Sequence, residues 1–273
     1  MTLPQSYDNI IVIVKPYFLG GVMVLSGSNM LEKEYRIHYY EADVKGRILI
    51  TSLMRYFDDI ATQQSRELGV GISYLKEHNV AWMLYRWDIK INKYPRYGET
   101  IKVRTAPYSF RKFYAYRWFD VLNKDGERLV TANSVWLFVD KDKRRPLKIP
   151  DVMYEAYQVT SDEPLEMGEI TELSSCDIEK KFQVRYSDID TNSHVNNVVY
   201  VTWALEALPY DIISNYELRN LKVTYKQETT YGMIIRSQCQ VIKNDDHVTT
   251  RHNILSEEGK QLCLLEGRWI KNS

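Results

Sequence analysis

Cysteine is scarce in this chain. There are three in 273 residues, Cys176, Cys239 and Cys263. Their spacing offers neither a disulfide framework nor a zinc site, and an odd count without a framework fits a reducing compartment. A cytoplasmic location is therefore expected. Net charge is absent as well, with 36 basic residues against 36 acidic. That excludes the basic excess of a general nucleic-acid binder. The 12 glycines form no dinucleotide or phosphate loop. A Gly-x-Ser-x-Gly nucleophile elbow is missing. The five histidines are scattered, without the spacing of a zinc site. No cofactor and no metal are expected. A membrane-spanning run is lacking too. Asn9 to Leu25 is apolar, but Lys15 and Pro16 interrupt it and it is too short to span. Residues 1–29 read as a leader outside the core. Ser26-Gly27-Ser28 leaves a signal-peptide cleavage site as the second reading.

What the chain does have is a hydrophobic fraction of 44%, 21 tyrosines and an internal repeat. Ile37-His-Tyr-Tyr-Glu41-Ala-Asp43 aligns with Val184-Arg-Tyr-Ser-Asp188-Ile-Asp190, an offset of 147 (190 − 43). The same offset places Asp59 on Glu206. Further on, Tyr97-Gly98 matches Tyr231-Gly232, an offset of 134 (231 − 97), so the second copy has a shorter helix-to-strand connection. Asp125-Gly126 through Trp136 matches Glu258-Gly259 through Trp269.

Each copy reads strand, helix, then several strands. Apolar spacing at Leu53, Phe57, Ile60 and Ala61 predicts a helix from Ser52, a possible N-cap, to Leu68, stopped by Gly69. Strands are predicted near 81–91, 100–109, 113–122 and 129–139. The second copy has a helix over Val198–Leu208, apolar nearly all round and so buried. Its strands are predicted near 220–228, 233–243, 249–256 and 262–271. Asn123-Lys-Asp-Gly126 and Glu257-Glu-Gly259 are the matching hairpin turns. One helix cradled by an antiparallel sheet is the hot-dog unit, and two in tandem make an α+β double hot dog. The expected domains are an N-terminal unit at 30–147 and a C-terminal unit at 179–273. Between them 148–178 reads as an acidic linker with a short helix near Val152–Tyr157. The copies pair within one chain, so monomer and homodimer both remain open, the latter through exposed sheet edges.

The chemistry concentrates at Asp190-Thr-Asn192-Ser-His194-Val-Asn-Asn197, immediately before the second helix. A carboxylate, an amide and an imidazole alternate where free N–H groups and the positive end of the helix dipole converge. The N–H groups of Val195, Asn196 and Asn197 are candidates to hold a developing oxyanion. The first copy has Asp43, Lys45 and Arg47 at the aligned positions, so one active site per chain is expected, in the second half. Asp188-Ile-Asp190-Thr-Asn192 begins like a calcium loop. It fails because the sixth position is Ser193 and the twelfth is Val199.

With these residues in view, a family resemblance emerges. Asp-x-Asn-x-His-Val-Asn-Asn followed by Tyr200, Trp203, Leu205, Glu206 and Pro209 resembles the acyl-acyl carrier protein thioesterases of plants and bacteria. Trp82-Met-Leu-Tyr-Arg-Trp87 and Tyr225-Lys-Gln-Glu228 are similar to the same family. The resemblance runs from about residue 31 to the end. It implies a double hot-dog fold, hydrolysis of acyl-carrier-protein thioesters, and catalytic positions at Asp190, Asn192, His194 and Glu228. One departure stands out. Many members carry a cysteine after that glutamate, and here it is Thr229, so a cysteine–histidine acyl-enzyme is not expected. Whether Glu228 or His194 is the base stays open.

An acyl tunnel is expected from Met54, Phe57, Ile60, Trp82 and Met83. The carrier protein is acidic, so Arg111, Lys112 and the run 141–145, with Lys143, Arg144 and Arg145, are candidates for docking it. Neither nucleic acid nor membrane is an expected partner. The rival readings are an acyl-CoA thioesterase, a hydroxyacyl-thioester dehydratase, and a non-enzymatic acyl-thioester sensor.

Overall fold

A computed structural model of the chain describes residues 29–272. Before them it describes only the backbone of two short antiparallel strands, β1 (Tyr17–Leu19) and β2 (Val22–Val24). The expected leader, 1–29, lies almost wholly outside the described side chains.

The first unit runs β3 (Leu31–Arg36), α1 (Ile50–Glu67), α2 (Ile72–Glu77), β4 (Val80–Ile91), β5 (Thr100–Arg111), β6 (Tyr114–Leu122) and β7 (Arg128–Asp140). A two-residue β8 (Arg145–Pro146) pairs with β7, and α3 (Asp151–Tyr157) follows. The second unit runs β9 (Ile178–Gln183), α4 (Asn197–Glu206), α5 (Tyr210–Asn215), β10 (Tyr216–Tyr225), β11 (Ile234–Lys243), β12 (His247–Ser256) and β13 (Gln261–Lys271). The repeat offsets hold in three dimensions. Strand β3 maps onto β9 and the start of α1 onto the start of α4 at 147, and β5 maps onto β11 at 134.

All strands after β2 form one antiparallel sheet with the order β3-β5-β6-β7-β4-β10-β13-β12-β11-β9. That order is mirrored about the β4–β10 pair, where Lys90 lies opposite Asn220 and Arg86 opposite Thr224. The two helices α1 and α4 pack against each other and against the sheet. This is the α+β double hot dog. The hydrophobic face of α1 explains its position. Leu53, Met54, Phe57 and Ile60 are fully buried, and Phe57 packs on Trp87 and Phe119 at ring distances of 5.7 and 4.8 Å. Each such side chain contributes about 1.5–3 kcal/mol by leaving water.

Three boundaries differ from expectation. Helix α1 begins at Ile50, with Leu49 at the cap, so Ser52 is a buried residue inside the first turn rather than the N-cap. Strand β10 ends at Tyr225, because Lys226 and Gln227 both donate to the Leu262 carbonyl and break the ladder. The linker is also not only a connection. Ile149, Met153 and Tyr157 are buried with Val70, Phe110 and Phe138 in a second apolar cluster beside the first unit.

Candidate active site

The loop before α4 repeats the backbone frame of the loop before α1, except that the Arg47 bonds to the Asp43 carboxylate have no counterpart at His194. Asp190 accepts from the Asn192 backbone N–H at 2.7 Å, and Asp43 accepts from Lys45 at 2.8 Å. Asp190 N–H donates to the His194 carbonyl as Asp43 N–H donates to that of Arg47, both at 2.8 Å. Ser193 has φ 66° where the counterpart is Gly46 at φ 71°. A side chain in that left-handed region costs about 1–2 kcal/mol. Both loops therefore share one scaffold, held by Asp43 in the first copy and Asp190 in the second. The difference lies in what the scaffold carries.

In the first copy it carries Arg47. This side chain is 8% exposed, pairs with Asp43 at 2.8 Å and Glu217 at 3.1 Å, and lies 5.3 Å from the Tyr94 ring centroid. In the second copy the equivalent position is His194, and the position equivalent to Tyr94 is Glu228. His194 Nε2 lies 3.3 Å from Glu228 Oε2. Arg144, from the β7–β8 turn, also reaches Glu228 Oε2. Glu228 Oε1 has no hydrogen-bond partner among the described residues. A base pair of this kind sits in only one half, because Arg47 and Tyr94 fill the other with a closed ion-pair cluster.

The three N–H groups expected to hold an oxyanion are not all available. Val195 N–H donates to the Thr229 carbonyl at 3.0 Å and Asn196 N–H to the Asp188 carbonyl at 2.8 Å. The Asn196 side chain caps α4 by accepting from Val198 N–H at 3.0 Å. Asn197 N–H is the one of the three without a partner among the described residues. The competition comes from the loop scaffold itself, since the first copy makes the equivalent bonds at Ile48 and Leu49.

A cavity of about 530 Å³ opens beside the loop, within the usual range for a small-ligand site. Asp190, Thr191, Asn192, Asn196 and Asn197 line one end. Of the expected tunnel residues only Trp82 lines it. Met54, Phe57 and Ile60 face the sheet and are core residues, and Met83 is absent from the wall. The helical pattern identified the apolar face of α1 correctly, but that face belongs to the core. The cavity lies against the neighbouring stripe, Asp58, Ala61, Thr62 and Ser65. Sequence reading missed Asp58. Its Oδ1 is buried without a partner, and burial, with a smaller push from the Asp190 charge, raises its carboxyl to about 7. A signal was available: an acid at a position spaced with small polar residues rather than on the exposed face.

The cysteines stand away from this chemistry. Cys176 is exposed in the linker. Burial pushes the Cys239 thiol up to about 12 and the Cys263 thiol well above its ordinary value, so neither is a thiolate nucleophile. The docking candidates Arg111, Lys112, Lys143, Arg144 and Arg145 lie on the β5–β6 and β7–β8 turns. The segment after β8 is tied to the β5–β6 turn, where Ile149 N–H donates to the Lys112 carbonyl at 2.8 Å. Arg144 belongs to the site itself through Glu228.

Residues 28–157 match the N-terminal domain of acyl-ACP thioesterases, and residues 171–271 match the C-terminal domain. The chain belongs to the acyl-ACP thioesterase family. An acyl-[acyl-carrier-protein] hydrolase from the chloroplast of Cuphea viscosissima is 27% identical, over 94% of this chain and 65% of its own length. A palmitoyl-acyl carrier protein thioesterase of Arabidopsis thaliana is 27% identical, over 94% and 68%. The chain spans about two thirds of the length of the curated relatives it matches. Among solved structures, a putative oleoyl thioesterase from Lactobacillus plantarum aligns with TM-score 0.87 at 27% identity, covering 91% of this chain and 98% of that one. Within the family, this chain's Thr229 holds a buried place. Its N–H donates to the Tyr200 hydroxyl at 3.2 Å.

Proposed function

We propose that the chain hydrolyses the thioester joining a fatty acyl chain to acyl carrier protein, releasing the free fatty acid. The observation that carries this reading is the His194–Glu228 contact, 3.3 Å long, with His194 two residues beyond Asn192 on one loop. Asn192 lines the cavity of about 530 Å³, and the His194–Glu228 pair lies outside its lining. In this reading Glu228 Oε1 holds a water and takes its proton as the water oxygen bonds the thioester carbon. The carbonyl oxygen becomes an oxyanion against the Asn197 N–H and the Asn192 amide. Losing one such donor typically raises a barrier by about 2.7–4 kcal/mol. The carbon–sulfur bond then breaks; the proton held by Glu228 passes to His194 across their contact and from His194 to the departing thiolate, which restores both residues. Arg144 holds the same Glu228 oxygen, Oε2, that the imidazole contacts. Among the described residues no helix is long and apolar enough to cross a membrane. That is compatible with work on a carrier protein in the cytoplasm.

Thiol release measured on acyl-carrier-protein and acyl-CoA thioesters of matched chain length tests the proposal. Release that favours the carrier protein in kcat/KM supports it. Release that favours CoA makes this an acyl-CoA thioesterase. An alkene product from a 3-hydroxyacyl thioester, without thiol release, would make it a dehydratase.

A further inference from the structure

The cavity has two unlike walls. One is apolar, formed by Leu75, Val80, Trp82, Phe110 and Trp136. The other is the α1 stripe Asp58, Ala61, Thr62 and Ser65, continued by Arg117 and Tyr157. A tunnel for a plain hydrocarbon gains nothing from such a wall, because every polar group on it loses water when the chain enters.

Arg117 is the decisive member. It projects from β6, is 8% exposed and has no carboxylate partner among the described residues. Its Nη1 donates to Gln64 Oε1 at 2.5 Å and to Thr105 Oγ1 at 3.1 Å. Its guanidinium lies 5.7 Å from the Tyr157 ring centroid. The Tyr157 hydroxyl in turn contacts Ser65 Oγ at 2.6 Å. Neutral partners thus orient a buried cation, and none of them neutralises it. Arginine keeps its charge in such places and presents five N–H donors, and Nη1 by itself serves both Gln64 and Thr105. A buried charge without a counter-ion costs free energy that an entering acceptor offsets.

The arrangement has a length. Ser65 stands seven residues beyond Asp58 on α1, about 10 Å at the helical rise. Asp58 lies near the Asp190 end of the cavity, where the thioester would react. The cation therefore faces a point well down the acyl chain rather than the carbonyl.

We infer that this cavity selects acyl chains carrying a hydrogen-bond-accepting oxygen away from the thioester, a hydroxyl, keto or carboxylate group, read by Arg117 with Tyr157 and Ser65. The inference rests on the hydrolase reading above and names its substrate class. The apolar wall holds the methylene segment, and the polar stripe accommodates the oxygenated part.

The test is thiol release from carrier-protein thioesters in matched pairs, plain against ω-hydroxy and ω-carboxy chains, across several lengths. At the best length the oxygenated chain should exceed the plain one at least tenfold in kcat/KM, the usual scale for a buried charged hydrogen bond. Arg117→Met should bring that ratio close to one, and Arg117→Lys should retain part of it. Tyr157→Phe supplies a second, milder variant should Arg117→Met fail to fold. A preference for plain chains at every length overturns the inference, as does an unchanged ratio in both variants. The hydroxy and carboxy arms separate a neutral acceptor from an anion. Absence of release from every thioester would overturn the hydrolase reading itself, a result distinguishable from release without selectivity.

Discussion

Asp58 ties the stability of this protein to pH in a way that one substitution isolates. Its carboxyl is buried against the cavity, faces the Asp190 charge and has an unpartnered Oδ1. Its folded value of about 7 stands roughly three units above the ordinary 3.8. The native state thus holds this proton more tightly than the unfolded chain does. Well below pH 3.8 both states are protonated and Asp58 costs nothing. As pH rises, the unfolded chain loses the proton first, and stability falls until the native group also ionises near 7. At 1.36 kcal/mol per unit, the loss approaches about 4 kcal/mol, an upper bound because the cavity admits water. Asp58→Asn removes the titration and keeps the shape. Urea unfolding of both proteins at pH 4.5, 5.5, 6.5 and 8 reads the effect, since other groups shift both alike. The variant should exceed the wild type by about 1 kcal/mol at pH 4.5, where the unfolded carboxyl is already mostly ionised, and by about 2–4 kcal/mol at pH 8. A stability difference that does not change with pH would refute the placement of Asp58.

Three further outcomes follow from the same geometry. His252 is fully buried with an unpartnered Nδ1, and burial lowers its value to about 3. Its folded value lies below the unfolded one, so stability drops as pH falls below 6.5, by about 2–3 kcal/mol at pH 4.5. His252→Phe should flatten that limb in denaturant unfolding. Arg47→Met leaves Asp43 without its cation and Glu217 with Arg219 alone, and should cost about 3 kcal/mol in the same assay; a change under about 1 kcal/mol would contradict the closed ion-pair cluster. Charge reversal at Lys112, Lys143 and Arg145 together should raise KM on carrier-protein thioesters and leave KM on CoA thioesters nearly unchanged. Equal effects on both would remove these turns from the docking surface.

The repeat made most of the fold readable. Two offsets, 147 and 134, carried the order of strands from one half to the other. Paired signals such as Tyr97-Gly98 and Tyr231-Gly232 marked equivalent turns. The loop proposed to react stood out because Asn192 and His194 replace Lys45 and Arg47 on a common frame. The substrate wall was not. Periodicity finds the apolar stripe of α1, and Met54, Phe57 and Ile60 on that stripe serve the core. Which flank of the helix meets a cavity depends on where β6 and α3 pack, and no local pattern encodes that. Arg144 was singled out only as a docking candidate, and its contact with Glu228 eluded the sequence for a similar reason. It lies 84 residues from Glu228 and meets it only because β4 and β10 join the two units. The oxyanion donors were misjudged where loop bonds outside the helix consume Val195 and Asn196 N–H.

The most direct measurement is the rate of thiol release from an acyl-carrier-protein thioester by wild type, His194→Ala, Glu228→Ala and the double variant, with folding verified by circular dichroism. Each single substitution should lower kcat/KM about 10²–10⁴-fold, the range for a lost acid–base group. The double variant should fall little below the weaker single one, since the two residues act as a unit. Singly substituted proteins that fold and keep rates near wild type would place the chemistry elsewhere than the His194–Glu228 pair.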